Sequence, residues 1–227
     1  RAGNLQIIPP FVAAATAGEE RSRTLILQSQ QTDLGTSVSY ALLRERDLYF
    51  GEMDLMYKED PIISKIVSEI VDGAGEYPSE QLANYGVRYI FLNEPVDKEV
   101  ARKIDGVGGL VRLSATKDGV LWKIAGNSAR VKFISADAEP IALAANRISA
   151  NFKIPKAGEI LLAERFSDGW RLVVDGKFVK AEKTVDGLTK FKVDASGDAL
   201  LIHDGPLQRA GISLQLLAIG LIIFFAL

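Results

Sequence analysis

Residues 169–179 read GWRLVVDGKFV, and this stretch decides the fold class of the second half of the chain. Its side chains follow a period of two, which predicts a β-strand from Trp170 to Val174. The residues expected on one face of that strand are Trp170, Leu172 and Val174. Asp175-Gly176 comes next, and an Asp-Gly pair between alternating runs is a strong signal for a β-hairpin. We therefore expect the partner strand to return through Lys177, Val179 and Ala181.

The pattern extends outward on both sides of this stretch. Asp-Gly pairs recur at Asp118-Gly119 and Asp186-Gly187, again between short β-type runs. The other runs predicted as strands are residues 130–135, 147–154, 159–166, 188–193 and 199–203. Many short strands with turn signals and no helical period are typical of an antiparallel sandwich or a jelly-roll-like lobe. We assign residues 127–209 to this lobe.

Residues 1–126 alternate strand and helix signals instead. Strands are predicted at 23–27, 38–43 and 87–92, and helices at 61–71, 79–84 and 97–106. Asp60-Pro61, Ser79 and Asp97 are the expected helix starts, because short polar side chains cap helices and proline suits the first turn. Elements spaced so closely predict a small layered α/β lobe with some parallel strand pairing, ending near Gly126.

Residues 210–227 read AGISLQLLAIGLIIFFAL and carry no charge. A helix of this length is about 27 Å long, close to the thickness of a hydrocarbon core. The segment predicts the start of a transmembrane helix. The alternative is a buried C-terminal helix of a globular domain, but such helices usually keep a polar stripe. Arg209 before the segment favours a cytoplasmic side for the preceding residues.

Composition excludes several function classes. Hydrophobic residues are 48% and charged residues 25% of the chain, the net charge is -2, and no Lys/Arg stripe suggests a nucleic-acid partner. The chain has no cysteine and one histidine, His203, which argues against thiolate or transition-metal sites and against a Ser-His pair. Three weak motifs lack the structural context that their function needs. They are a glycine cluster like a dinucleotide-binding loop at 106–109, a partial nucleophile elbow at 35–39 and a pair of acids at 137–139. We predict no catalytic, cofactor-binding or metal-binding residue.

Trp122 and Trp170 are the two candidates for contact with a glycan. An aromatic face suits the apolar C–H face of a sugar ring. The alternative is that both are core residues, since a tryptophan in an alternating strand is more often buried. For Trp170 we expect the core position.

The order of several segments resembles one family. They are PPFVAAATAG (9–18), RTLIL (23–27), VSYALLRER (38–46), LANYGVRYIFLNEPVD (82–97), IDGVGGLVRLSATKDGVLWKI (104–124) and FSDGWRLVVDGKFV (166–179). Together they are similar to the C-terminal extracytoplasmic region of large actinobacterial family 2 membrane glycosyltransferases. The resemblance implies a cell-membrane protein whose transferase domain lies elsewhere, with this domain outside the cytoplasmic membrane, against the indication from Arg209. The family's catalytic acids match no position here.

From these observations we expect a non-catalytic ectodomain of a cell-envelope glycosyltransferase. It would bind or orient a glycan acceptor, a lipid-linked sugar or a partner protein beside the membrane, next to the rest of its parent protein. The alternative is a purely structural or assembly module of a polytopic membrane protein. An autonomous enzyme is the third hypothesis.

Overall fold

The computed structural model describes residues 21–33, 35–43, 61–75, 77–145 and 149–203. In this part of the chain the fold is rich in β structure, with three sheets and few helices. Residues 204–209 of the predicted sandwich lobe and the predicted transmembrane segment at 210–227 lie outside the described residues. Of the helices that are described, none has the length and apolar character needed to cross a membrane.

The first half builds a mixed five-stranded sheet. Its strands are β1 (Arg23–Thr32), β2 (Gly35–Leu43), β3 (Val87–Asn93), β4 (Leu110–Thr116) and β5 (Gly119–Ile124). Their order across the sheet is β2-β1-β3-β5-β4. The pair β1–β3 is parallel and the other pairs are antiparallel, so the predicted parallel pairing is confirmed.

Helices cover one face of this sheet: α1 (Pro61–Asp72), α2 (Pro78–Asn84) and α3 (Lys98–Asp105). The apolar stripe of α1 packs into the core, with Ile63 and Ile70 fully buried. Asp97 caps α3 as predicted, because its Oδ1 accepts the backbone N–H groups of Glu99 and Val100 at 2.8 and 3.1 Å.

The predicted role of Ser79 as a helix cap is wrong. Helix α2 begins at Pro78, and Tyr77 precedes it in a left-handed conformation without a side-chain cap. Proline fixes the first helical position, which places Ser79 inside the first turn. Its hydroxyl instead donates a 2.8 Å hydrogen bond to the carbonyl oxygen of Gly108, which ties α2 to the loop after α3.

The second half forms two antiparallel sheets. Its strands are β6 (Val131–Ser135), β7 (Ala138–Leu143), β8 (Ser149–Ile154), β9 (Gly158–Arg165), β10 (Trp170–Val174), β11 (Lys177–Val179), β12 (Ala181–Lys183), β13 (Leu188–Val193) and β14 (Gly197–His203). One sheet has the order β11-β10-β14-β8 and the other β12-β13-β9-β6-β7. Phe133, Ile160 and Phe191 of the five-stranded sheet pack in one core with Leu172 and Leu201 of the four-stranded sheet. This arrangement is sandwich-like.

All three Asp-Gly pairs lie at or beside hairpin turns, as predicted: β4–β5, β10–β11 and β12–β13. At the second turn Asp175 has φ 44° and Gly176 has φ 78°, the positive angles that a two-residue hairpin requires. The strand after this turn is shorter than expected. It ends at Val179, and Ala181 belongs to a strand of the other sheet, so the chain changes sheets at Lys180.

The two halves share a packed interface. Sheet membership changes between Ile124 and Val131. Leu161 and Leu188 of the sandwich nevertheless belong to the apolar core of the first half. The Tyr85 hydroxyl donates to the Asp186 carbonyl oxygen at 2.6 Å across the same interface. The division of the chain into two domains at residue 126 stays a prediction.

Candidate functional site

Trp170 lies in the core of the sandwich. Its side chain is 7% exposed and packs with Leu172 and the other inward residues of both sheets. The indole ring meets the ring of His203 edge-on, with centroids 4.6 Å apart. The guanidinium carbon of Arg130 lies over the indole ring, 5.6 Å from its centroid. The predicted inward orientation of Trp170 is confirmed.

Trp122 is a core residue of the first half, 0% exposed. Its Nε1–H donates to Asp105 Oδ1 at 2.9 Å. Arg112 donates to the same carboxylate, with Nε 2.9 Å from Oδ1, and its guanidinium lies over the indole ring. Neither tryptophan presents an open ring face, so the placement of Trp122 and Trp170 gives no support to their interpretation as glycan contacts.

The outer face of the four-stranded sheet carries a different set of side chains. Strand pairing aligns one residue from each strand in a row across the sheet: Phe178, Val173, Leu200 and Asn151. Phe178 is 71% exposed and Leu200 37% exposed. Side chains of directly paired residues lie on the same face of a sheet. An aromatic and two aliphatic side chains thus form a continuous apolar band ending at an amide, which we call the outer row.

Polar groups flank the outer row on both sides. Arg171 precedes Val173 on the same strand face, and its guanidinium carbon lies 5.9 Å from the centroid of the Phe178 ring. On the other side, Asp198 and Lys153 are paired on neighbouring strands. A shallow depression of about 410 Å³ opens here, lined by Asn151, Val173 and Leu200 of the outer row together with Asp175 and Asp198. The face combines apolar surface with hydrogen-bonding groups.

The hairpin turn beside this depression is held in place by the neighbouring strand. The Asp175 N–H donates to the Asp198 carbonyl oxygen at 3.0 Å, and the Asp198 N–H donates to Asp175 Oδ1 at 3.0 Å. A Cβ atom at Gly197 would lie only 2.4 Å from Asp175 Oδ2, so a larger residue there would require the Asp175 side chain to move. The carboxylate of Asp175 is therefore fixed relative to the outer row.

A buried ionic cluster links the two halves at another place. Glu164 Oε2 lies 2.7 Å from Arg23 Nη2, and Glu164 Oε1 lies 2.8 Å from Arg130 Nε. All three side chains are almost fully buried. Arg23 also donates through Nη1 to the carbonyl oxygens of Tyr85, at 2.7 Å, and Ala163. Arg23 belongs to the first half and Glu164 and Arg130 to the second, so the Arg23–Glu164 ion pair fixes the interface between the halves.

Lys132 is a second buried charge at this interface. Its ammonium donates to the carbonyl oxygens of Ala83 at 2.8 Å and Asn127 at 3.1 Å, and to Asn84 Oδ1 at 3.2 Å. Burial lowers the pKa of Lys132 from 10.5 to about 8, with a small opposing effect from Glu80. These contacts join β6 of the sandwich to α2, and we interpret them as structural.

The remaining sequence motifs lie in structural positions. Residues 106–109 follow α3, Gly35 begins β2, and Asp137 lies exposed in the β6–β7 turn, 2.7 Å from Lys156 Nζ. Within the described residues no group of three or more His, Cys, Asp or Glu side chains is placed to hold a metal ion. Comparisons with protein-family models, curated proteins and solved structures found no match.

Sequence reasoning missed the outer row. The sequence patterns indicated the two tryptophans, whereas the exposed aromatic residue of this sheet is Phe178, which points to the face opposite to that of Val179. One signal was present in the sequence. If Trp170 and Leu172 point inward, Lys177 and Val179 are on the same face of the partner strand, and Phe178 between them points outward. The alignment with Leu200 and Asn151 depends on strand pairings that the sequence does not specify.

Proposed function

We propose that this chain is a non-catalytic ectodomain of a cell-envelope membrane glycosyltransferase and that its outer row contacts a glycan acceptor. In this proposal residues 210–227 begin a transmembrane helix, and the domain lies on the extracytoplasmic side. The resemblance in segment order supports the parent class. The observation that carries the binding function is the exposed Phe178 in line with Val173 and Leu200, beside a depression with polar walls.

The chemistry of this face suits a sugar chain. A pyranose ring has an apolar C–H face, which gains by covering aromatic and aliphatic surface. Its hydroxyl groups both donate and accept hydrogen bonds. Asn151 offers an amide with both functions, whereas Asp198 offers acceptors and Lys153 donors. A ligand lying on the outer row would thus meet apolar surface below and polar groups at its edges.

The direct test is titration calorimetry of the 227-residue chain with cell-envelope oligosaccharides, in a detergent that contains no sugar. We expect Phe178→Ala to weaken binding at least tenfold without lowering the melting temperature. Tyr77→Ala is the matched control, because Tyr77 is an exposed aromatic residue on the first half. Equal effects of the two variants, or no binding by the unmodified chain, would contradict the proposal.

The alternative, a purely structural module, is favoured by one specific observation. The cluster of Arg23, Glu164 and Arg130 holds the two halves together through fully buried contacts. A module that only supports its parent protein needs such rigidity but no binding face. Glycan assembly by the full-length parent protein distinguishes the two functions. Phe178→Ala should reduce it under our proposal, whereas only deletion of the whole domain should reduce it under the alternative.

A further inference from the structure

We infer that the bound glycan lies across the strands of the four-stranded sheet, and that it is a neutral chain with about three sugar units in contact. This inference rests on the proposed function, since it specifies the ligand of the same face. It follows from two features of the outer row: its direction and the balance of charges beside it.

The direction follows from how apolar and polar residues are arranged. Phe178, Val173 and Leu200 are successive partners on adjacent strands, so apolar surface is continuous perpendicular to the strands. Along the strands it is interrupted. On β10 the outward position before Val173 is Arg171, and on β14 the outward position before Leu200 is Asp198. On β10 the apolar surface is limited to Val173, and on β14 it extends from Leu200 only to Ile202. A ligand lying along one strand would therefore meet at most two apolar residues, against three across the strands.

The length follows from strand spacing. Neighbouring strands are about 4.8 Å apart, so four strands span about 14 Å from Phe178 to Asn151, the length of roughly three linked pyranose units. Phe178 would cover the ring at one end. Asn151 would bind hydroxyl groups of the ring at the other end, with Val173 and Leu200 under the chain between them.

The charge class follows from the groups beside the outer row. Asp175 and Asp198 lie by the depression, and Lys153 is paired with Asp198. Arg171 stands over the Phe178 ring. The face therefore presents acids and bases in equal number, which fits an uncharged polyhydroxyl ligand. A chain of uronic acids would bring carboxylates close to Asp175 and Asp198, where like charges repel each other.

The experiment is a length series of one neutral envelope glycan, from disaccharide to hexasaccharide, titrated into the 227-residue chain. Affinity should rise roughly tenfold from disaccharide to trisaccharide and by less than twofold beyond, because no further contacts form. Phe178→Ala and Asn151→Ala, at opposite ends of the outer row, should both weaken trisaccharide binding. Ile202→Ala, next to Leu200 along β14, should leave it unchanged.

Each other outcome has a defined meaning. An effect of Ile202→Ala without an effect of Asn151→Ala would overturn the crosswise orientation. Affinity that keeps rising with chain length would overturn the three-unit length, and equal or tighter binding of a uronic-acid series would overturn the charge class. In these cases the proposed glycan-binding function would stand. No binding of any oligosaccharide would overturn the proposed function and this inference together.

Discussion

Glu164→Gln tests whether the buried ionic cluster joins the two halves of the protein. The substitution keeps the shape of the side chain and removes the carboxylate that both Arg23 and Arg130 contact, at 2.7 and 2.8 Å. The Glu164 side chain is 1% exposed, so water cannot solvate the two guanidinium groups that lose their counter-charge. Removing one partner from a buried ion pair typically costs 3–5 kcal/mol, about the same as losing two charge-assisted hydrogen bonds.

The matched control is Glu159→Gln, the same chemical change on the same strand, β9. Glu159 pairs with Lys190 at 3.1 Å, but its side chain is 42% exposed. An exposed pair of this kind contributes about 0–1 kcal/mol. The comparison therefore varies burial while it keeps the substitution constant.

Urea unfolding at pH 7, followed by circular dichroism, measures both variants. We expect Glu164→Gln to lower the free energy of unfolding by about 3–5 kcal/mol, against at most about 1 kcal/mol for Glu159→Gln. In an Arg130→Met background the same glutamine should cost less, because one of the two stranded guanidinium groups is gone. A cost for Glu164→Gln within 1 kcal/mol of the control would refute the reasoning.

Packing and the pKa directions determine the expected effects of substitutions at Trp170, Lys132 and Asp97. Trp170→Ala should cost about 3–5 kcal/mol of unfolding free energy, since it empties part of the sandwich core, whereas exposed Phe178→Ala should change it little; loss of glycan binding by Trp170→Ala at unchanged melting temperature would contradict the core assignment. The Lys132 ammonium binds its proton more tightly in the unfolded chain than in the folded one. The free energy of unfolding of the wild type should therefore rise between pH 8 and 10.5, by up to about 3 kcal/mol relative to Lys132→Met. A difference between the two proteins that does not change with pH would argue against this. Asp97→Ala should cost about 1 kcal/mol near neutral pH. The Val100 N–H lowers the pKa of Asp97, so its cap is stabilising above the ordinary value of 3.8 and is lost as the pH falls through the folded value; a constant cost down to low pH would contradict the assignment.

Local signals made much of the fold predictable. An Asp-Gly pair needs only a few neighbouring residues to specify its turn, and all three pairs lie at hairpins. The cap at Asp97 and the buried stripe of α1 likewise depend on residues within one or two helical turns. Strand alternation was sufficient to place Trp170 inward.

Features that depend on distant partners were not predictable. Strand β7 was not among the predicted strands. It contains Pro140, and as an edge strand it pairs with β6, with a register shift beside that proline. The change of sheet at Lys180 depends on which strand is free to receive Ala181. The outer row also depends on distant partners, because three separate strand pairings bring Phe178 and Asn151 into line.

The shared core has a consequence for how the protein is made. Leu161 and Leu188 complete the apolar core of the first half, although they follow residue 126 in the sequence. At ribosomal speed Leu188 emerges roughly 3–12 s after residue 126. During that interval the newly made first half exposes the apolar surface that these leucines later cover. The nascent chain therefore depends on rapid arrival of β9 and β13, and a polypeptide that ends near residue 126 should aggregate where the longer chain folds.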